Sequence, residues 1–436
     1  MDIEDRLLDI IPTNMAERGR VTIEALLAPL RDLLNRRRFP KMPFSDLQLE
    51  TLFRLLSSMD TDKDPESARV GEREGRVASP FVERMAFGFN HGIGRSGHVA
   101  APQPKAPGTS LMQQVADQVA VDAIRKLGLS NVRNGVVLPL ATGMSIALVL
   151  GALRREMGVR GVLYPRLDHA SPIRAIALAG LEHVQVPTIL EGDAVQADIS
   201  ELERCISKNE SYAVLATTTF FPPRLSDPLK EISRLCSDSA IPLIINNAYG
   251  VQSEAIMSSI RSAIDAGRVD AIVQSSDKNF LSPVGASIVV TPESETKEWI
   301  AETYAGRATA APVVQTLAAM LAIGQEGYEK LREEQRENRE FLENKMEEIA
   351  ESVKQRVLSV DNAIACAMTL DGLSAKEVGA RLYCRRVTGP RVVERGAFGS
   401  CIDNYPHDYI VMNAAIGASR KDVETATAKL YKEVSS

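Results

Sequence analysis

The stretch VQSSDKNF, residues 273–280, puts Lys278 directly after an apolar run of strand length. An ammonium at the end of a buried strand must be paired, reach water, or lose its proton and act as a nucleophile. A surface turn carries such a lysine equally well, so the other strand ends decide between the readings. Asn246, in INNAYG, ends a second buried run, where an amide is costly unless hydrogen-bonded. In ATGMS, residues 141–145, Thr142 and Gly143 stand where a strand turns into a helix, and backbone N–H groups there suit an anion. Capping alone also favours such residues at that place. His169, in RLDHAS, opens a helical segment, either as a surface or capping residue or as a flat face for a planar ring.

Taken in chain order, these ends supply a phosphate cup, a ring-stacking residue, a ring-nitrogen partner and an amine, with Ser275 a further candidate phosphate ligand. That order is the one expected of a pyridoxal phosphate site. A second marked region lies upstream, where GEREGR (71–76) and HGIGRSGHVAAPQPKAPG (91–108) hold Arg73, Arg76, Arg95 and Lys105 among glycines and hydroxyls. Glycine lets the backbone approach an anion, and arginine matches phosphate oxygens with a two-pronged fork. Solvated connections have the same composition, but a loop this long inside a compact chain is usually functional or disordered. Arg307, in YAGRATAAP, adds another arginine near the start of the last third of the chain.

The elements that must position these groups follow from periodicity. Seven apolar runs, GVVLPLA, GVLYP, HVQVP, AVLATTT, PLIINNAY, DAIVQSS and SIVVTP, alternate with helical segments between residues 109 and 306. This pattern predicts an α/β unit with a mostly parallel, buried seven-stranded sheet, in which ligands sit beyond the carboxyl ends of the strands. Amphipathic runs at 22–37 and 45–59 predict an N-terminal helical extension that leads into the arginine-rich loop, over 1–108. Residues 307–436 read as a smaller α+β domain, with a charged helix from Ala311 to Lys354 followed by strand, helix, strand and helix. Ser200 and Glu203 are spaced as a capping box for one crossover helix.

The 436 residues, 44% hydrophobic and 25% charged, are those of an ordinary globular protein, and a net charge of −6 leaves RNA contact to a local patch. Five scattered cysteines offer no metal-ligand spacing, so neither structural zinc nor a disulfide framework is expected. The opening MDIEDRLLDIIP is amphipathic and acidic, and no run approaches the roughly 20 apolar residues that span a bilayer, so a cytoplasmic setting without membrane contact is expected.

The linked motifs GEREGRVAS, HGIGRSG, QPKA, ATGMS, LEGD, INNAYGVQS, QSSDKNF, GRA followed by AP, VTGPRVV and NAAIG resemble, in order and spacing, the O-phosphoseryl-tRNA(Sec) selenium transferases. The resemblance implies the aspartate-aminotransferase-like fold (fold type I) of pyridoxal phosphate enzymes and a homotetramer, a dimer of dimers. It also implies conversion of O-phosphoseryl-tRNA(Sec) with selenophosphate to selenocysteinyl-tRNA(Sec). By the same resemblance, Lys278 is the Schiff-base lysine, Asn246 the ring-nitrogen partner, and Arg73 a ligand of the cofactor phosphate. Arg95, Ser96, Gln103 and Arg307 take the substrate phosphate, Glu72 repels free amino acids bearing an α-carboxylate, and Arg385 contacts the tRNA near its acceptor end. Three departures stand out: Ala170 replaces a lysine of many relatives, Asp265 replaces a tRNA-contacting arginine, and the sequence ends at Ser436 without the charged tail of animal members. The rival reading is another enzyme of the same fold, such as a phosphoseryl-tRNA to cysteinyl-tRNA synthase or another lyase or desulfurase. A sulfur-handling enzyme would be expected to use a catalytic cysteine, and none of the five lies in the marked strand-end and arginine-loop motifs.

Overall fold

The computed structural model describes residues 10–435, so most of the acidic amphipathic opening lies outside the described residues. Among the described residues nine strands precede residue 292: β1 (Asn134–Leu138), β2 (Gly161–Pro165), β3 (Glu182–Val186), β4 (Thr188–Glu191), β5 (Ala194–Ala197), β6 (Tyr212–Thr217), β7 (Leu243–Asn246), β8 (Ala271–Ser275) and β9 (Ser287–Thr291). Seven of them form one sheet in the order β1-β9-β8-β7-β6-β2-β3, while β4 and β5 pair as a separate hairpin. All seven predicted runs are strands of this sheet. Pairing is parallel throughout except at β9, which runs antiparallel to both β1 and β8. The chain direction of β9 therefore restores β1 to the orientation of β8, and the carboxyl ends of β1, β2, β6, β7 and β8 share one edge.

The reason these segments are strands is burial on both faces. Every residue of β2, β7, β8 and β9 is buried. Helices cover the faces: Pro107–Lys126 packs on β1, Thr142–Met157 on Ala170–Leu178, and Leu229–Asp238 on Glu254–Ala266. Phe39, Leu52, Phe53 and Leu56, from the N-terminal segment, belong to the same continuous core as the sheet. A second core lies under a three-stranded antiparallel sheet of β10 (Ala365–Thr369), β11 (Arg391–Val393) and β12 (Tyr409–Asn413), ordered β10-β12-β11 and flanked by helices Ala375–Cys384 and Arg420–Val434.

Two local expectations are corrected. The crossover helix Ile199–Ile206 is capped by Asp198, whose side chain accepts from the Glu201 N–H, so Ser200 lies inside the helix and no Ser200–Glu203 box exists. An aspartate before the first turn outcompetes the serine because its carboxylate also favours the positive end of the helix dipole. The long helix, Ala311–Ser352, is broken at Gly324, which adopts φ 61° and ψ 174°. There the backbone passes Met42 and Pro43 so closely that a Cβ would lie 2.8 Å from the Met42 carbonyl carbon. Gly324→Ala is therefore expected to destabilise the protein by about 1–3 kcal/mol, through backbone strain and crowding together. A thermal melt that did not shift downward would contradict this account of the break.

Candidate active site

The shared strand edge gathers the predicted groups. Beyond β1, Thr142 and Gly143 open helix Thr142–Met157, whose N-cap Ala141 offers no side-chain acceptor, so the first-turn N–H groups are left for a ligand. The Thr142 hydroxyl is buried without a partner. Gly143 lies against Ser171, and a Cβ at Gly143 would overlap the Ser171 hydroxyl. This contact brings the turn after β1 to the turn after β2. His169 occupies the N-cap of helix Ala170–Leu178 without making a capping bond. Its ring stands 5.7 Å from that of Phe220, beyond β6, tilted by 42°.

Asn246, the last residue of β7, is 6% exposed. Its side-chain oxygen is buried without a partner. Lys278 sits in the short helix Ser276–Phe280 directly after β8, with Nζ 4.6 Å from the centroid of the Tyr249 ring. Asn279 fixes that helix by donating to Ala248 O at 2.9 Å and to Ser275 O at 2.7 Å. Burial pulls the Lys278 pKa below the usual lysine value, and the charge of Asp277 opposes this more weakly. A depressed ammonium pKa raises the fraction of free amine at neutral pH, which is what attack on an aldehyde requires. His169 is likewise held below its usual pKa, by desolvation first and then by the charges of Lys278 and Arg391. Ser275 is buried, and its hydroxyl donates to the Asp277 carboxylate.

The residues fit pyridoxal phosphate. An anion-ready helix start with an orphaned hydroxyl, a glycine cradle, an orphaned amide at a strand end and a desolvated amine are the parts such a group needs, and all lie at one edge. Gly143→Ala should crowd Ser171 and weaken retention of the cofactor phosphate by about tenfold or more, read as cofactor released on dilution. Unchanged retention would place the phosphate elsewhere.

The arginine loop lines a further cleft. Glu72, Arg73, Arg76, His91 and Arg307 line a cleft of about 470 Å³. Arg307 is brought there by a bridge between Ile93 and Ala308, with N···O distances of 2.9 and 3.2 Å. Its guanidinium donates to the His91 carbonyl. Burial lowers the Arg307 pKa first, and repulsion from Arg73 lowers it further. Arg95 and Ser96 are exposed on an adjacent tight turn closed by Arg95 and His98, and Gln103 is half-buried before helix Pro107–Lys126. Glu72 is exposed and 3.9 Å from Arg73. Among the described residues no hydrogen bond or ion pair joins this cleft to the Lys278 group of the same chain. Arg385 lies apart from both, ion-paired with the buried Glu433 of the last helix. Ala170 follows His169 and is exposed, and Asp265 accepts a hydrogen bond from Asn131 at 2.9 Å.

Several contributors were not read from the sequence. Phe220, Phe221 and Tyr249 line the approach to Lys278, and Arg391 lies 5.2 Å and 5.4 Å from the Phe220 and Phe221 rings. Glu74, not singled out, is the buried acid of the arginine loop and pairs with Lys105. The end of the β6 run, TTTFFPP, was the available signal for the aromatic pair.

A lysine after β8, an amide ending β7 and an anion cup after β1, on a seven-stranded sheet of this order, define a pyridoxal phosphate enzyme of fold type I. A family model described as O-phosphoseryl-tRNA(Sec) selenium transferase, SepSecS, matches residues 59–435. The chain is 45% identical to an O-phosphoseryl-tRNA(Sec) selenium transferase of Methanopyrus kandleri over 429 residues, covering 98% of this chain and 99% of the relative. A crystal structure of an archaeal O-phosphoseryl-tRNA(Sec) selenium transferase superposes with a TM-score of 0.94 at 40% identity, over 97% of this chain and 98% of the other. At the level of fold alone, the rice protein TDC, solved with PLP and tryptamine, aligns with a TM-score of 0.58 at 14% identity, over 98% of this chain and 99% of the other. The chain belongs to the O-phosphoseryl-tRNA(Sec) selenium transferase family.

Proposed function

We propose that the chain converts O-phosphoseryl-tRNA(Sec) and selenophosphate to selenocysteinyl-tRNA(Sec), as a pyridoxal-phosphate-dependent selenium transferase in selenocysteine biosynthesis. The observation that carries this reading is the convergence of Thr142, Gly143, His169, Asn246 and Lys278 at one sheet edge in a member of this family. When bound, pyridoxal phosphate supplies an electron sink that acidifies the α-hydrogen of the phosphoseryl group. Lys278 anchors it and, once released by the substrate amine, takes the α-proton on Nζ. The Cβ–O bond breaks and phosphate departs with its electron pair. The selenium of selenophosphate then bonds to Cβ as Lys278 Nζ returns the proton to Cα, and water cleaves the P–Se bond to leave a selenol and inorganic phosphate.

Asn246 would partner the ring nitrogen, and as a neutral amide it would stabilise positive charge there less than a carboxylate, which phosphate as leaving group tolerates. Thr142 and Gly143 would hold the cofactor phosphate, and His169 would offer its ring face to the cofactor. Arg95, Ser96, Gln103 and Arg307 hold the phosphate of the substrate, Arg73 meets the cofactor phosphate, and Glu72 repels an α-carboxylate that the tRNA ester lacks. Each site draws its arginines from a neighbouring subunit of a homotetramer, a dimer of dimers; in support, no hydrogen bond or ion pair among the described residues joins the arginine cleft to the Lys278 group of the same chain. Arg385 contacts tRNA near the acceptor end after exchanging Glu433 for phosphate. No helix among the described residues is long and apolar enough to cross a membrane. The reduced cytoplasm suits five unpaired cysteines.

The direct test is incubation with O-phosphoseryl-tRNA(Sec) and either selenophosphate or thiophosphate, followed by identification of the esterified amino acid. Selenocysteine from the first and cysteine from the second are expected. Recovery of unchanged phosphoserine in both would overturn the assignment.

A further inference from the structure

We propose that Arg391 and Phe398 seat the 3'-terminal nucleotide of the RNA at the mouth of the Lys278 site, the guanidinium meeting its phosphate and the phenyl ring its base. The inference rests on the proposed function, because it takes the substrate to be an amino acid esterified to the end of an RNA.

Arg391 begins β11, opposite Val411 of β12, and is half-buried, yet among the described residues its guanidinium makes no hydrogen bond or ion pair. Its guanidinium lies over the rings of Phe220 and Phe221, at 5.2 and 5.4 Å, and its charge also bears on His169. A partly desolvated guanidinium without a carboxylate is completed by an anionic ligand. The same rings lead inward. Phe220 stands 5.7 Å from His169, Phe221 stands 6.5 Å from Tyr249, and the Tyr249 ring lies 4.6 Å from Lys278 Nζ. Arg391 is thus one ring removed from the groups around the reacting amine.

On its outer side Arg391 touches the loop after β11. Gly399 comes so close that a Cβ there would lie 2.6 Å from Arg391 Nη2. The loop is tied down beyond β2, since the N–H groups of Gly399 and Cys401 both donate to Asp168 at 2.9 Å. Phe398, directly before Gly399, is nonetheless 62% exposed. An anchored loop that turns a phenyl ring to water beside an unpaired arginine has the make-up of a single-strand platform, where bases stack on aromatics and arginine meets the backbone. The occupant follows from the ester. An amino acid whose amine must reach Lys278 brings its own ribose, and the nucleotide carrying it, to the rim of that site. With a net charge of −6 on the chain, RNA must be held by local cations rather than a general field.

The test compares binding of the holoenzyme to a full tRNA(Sec) transcript and to the same transcript lacking its terminal adenosine, by fluorescence anisotropy. For the wild type, the missing nucleotide should weaken binding on the order of tenfold. Arg391→Ala and Phe398→Ala should each bind the full transcript about as weakly as the wild type binds the truncated one, and lose most of the difference between the two. The visible absorbance of bound cofactor should be unchanged in both variants, and the exposed Phe398 position guards against misfolding as the explanation. A wild type that binds both transcripts equally, or variants that keep the full discrimination, would overturn the seat. Discrimination by a wild type that fails to convert phosphoseryl-tRNA would support the seat and overturn the proposed function instead.

Discussion

Lys278→Ala is expected to lose the visible absorbance of covalently held cofactor and to lower selenocysteinyl-tRNA formation by at least about 10³-fold, since it removes both the anchor and the base. The size of the effect follows from how little else can replace this amine. Tyr249 holds Nζ against its ring face, and Gln252 donates to the Lys278 carbonyl at 3.4 Å. Among the described residues no second lysine follows these strand ends, where Thr142, His169 and Asn246 stand with other polar but non-lysine groups. Lys278→Arg should be as inactive, because a guanidinium keeps its charge at any working pH and cannot serve as nucleophile or base. The pair of variants therefore separates a need for positive charge from a need for a titratable amine. Residual absorbance near that of the wild type, or retained turnover in either variant, would remove Lys278 from its role.

What the sequence made legible, and what it did not, divides along a physical line. The seven strands were readable because both faces of the sheet are covered, which forces continuous apolar runs such as AIVQS and SIVVT. Their spatial order was not, since nothing local tells β9 to insert antiparallel between β1 and β8. The site was readable in part because ligands gather at strand ends, so Asn246 and Lys278 are conspicuous as polar residues closing apolar runs. Phe220 and Phe221 are not conspicuous, because two aromatics after a buried strand look like core. Arg391 is 113 residues beyond Lys278 and reaches the same place only when the smaller sheet packs against the larger unit, a tertiary event that no periodicity encodes. The break at Gly324 was missed for a related reason: helical periodicity reads through one glycine, and the cause of the break is the chain at Met42, far away in sequence. The arginine motifs were recognisable by composition, but the cleft that Arg73, Arg76 and Arg307 line together is assembled only by the fold.

Arg307→Ala should leave the cofactor absorbance intact while lowering kcat/KM on phosphoseryl-tRNA by about 10²–10³-fold, corresponding to about 2–4 kcal/mol of lost stabilisation as charge moves onto the departing phosphate. Arg307 is suited to this because its position is set by backbone, not by a competing acid. The Ile93–Ala308 bridge fixes its neighbour, and Gly92, at φ 67°, lets that bridge close where a Cβ would overlap the Ala308 carbonyl. One donor is used on the His91 carbonyl, and the ε nitrogen is buried without a partner. Arg73 stands near enough to disfavour the Arg307 charge, so the cleft holds two like charges that an entering phosphate would neutralise together. A phosphate held there would meet both guanidiniums, and the variant should accordingly lose most of its preference for phosphoseryl-tRNA over seryl-tRNA. Arg307→Lys should recover only part of the loss, since an ammonium supplies charge without the two-pronged fork. Because the Lys278 group is built from the strand edge and the cleft from the loops around Ile93 and Ala308, cofactor loss in Arg307→Ala would give Arg307 a role in holding the cofactor and not the substrate phosphate, and an unchanged kcat/KM would show that the cleft binds something other than the substrate phosphate.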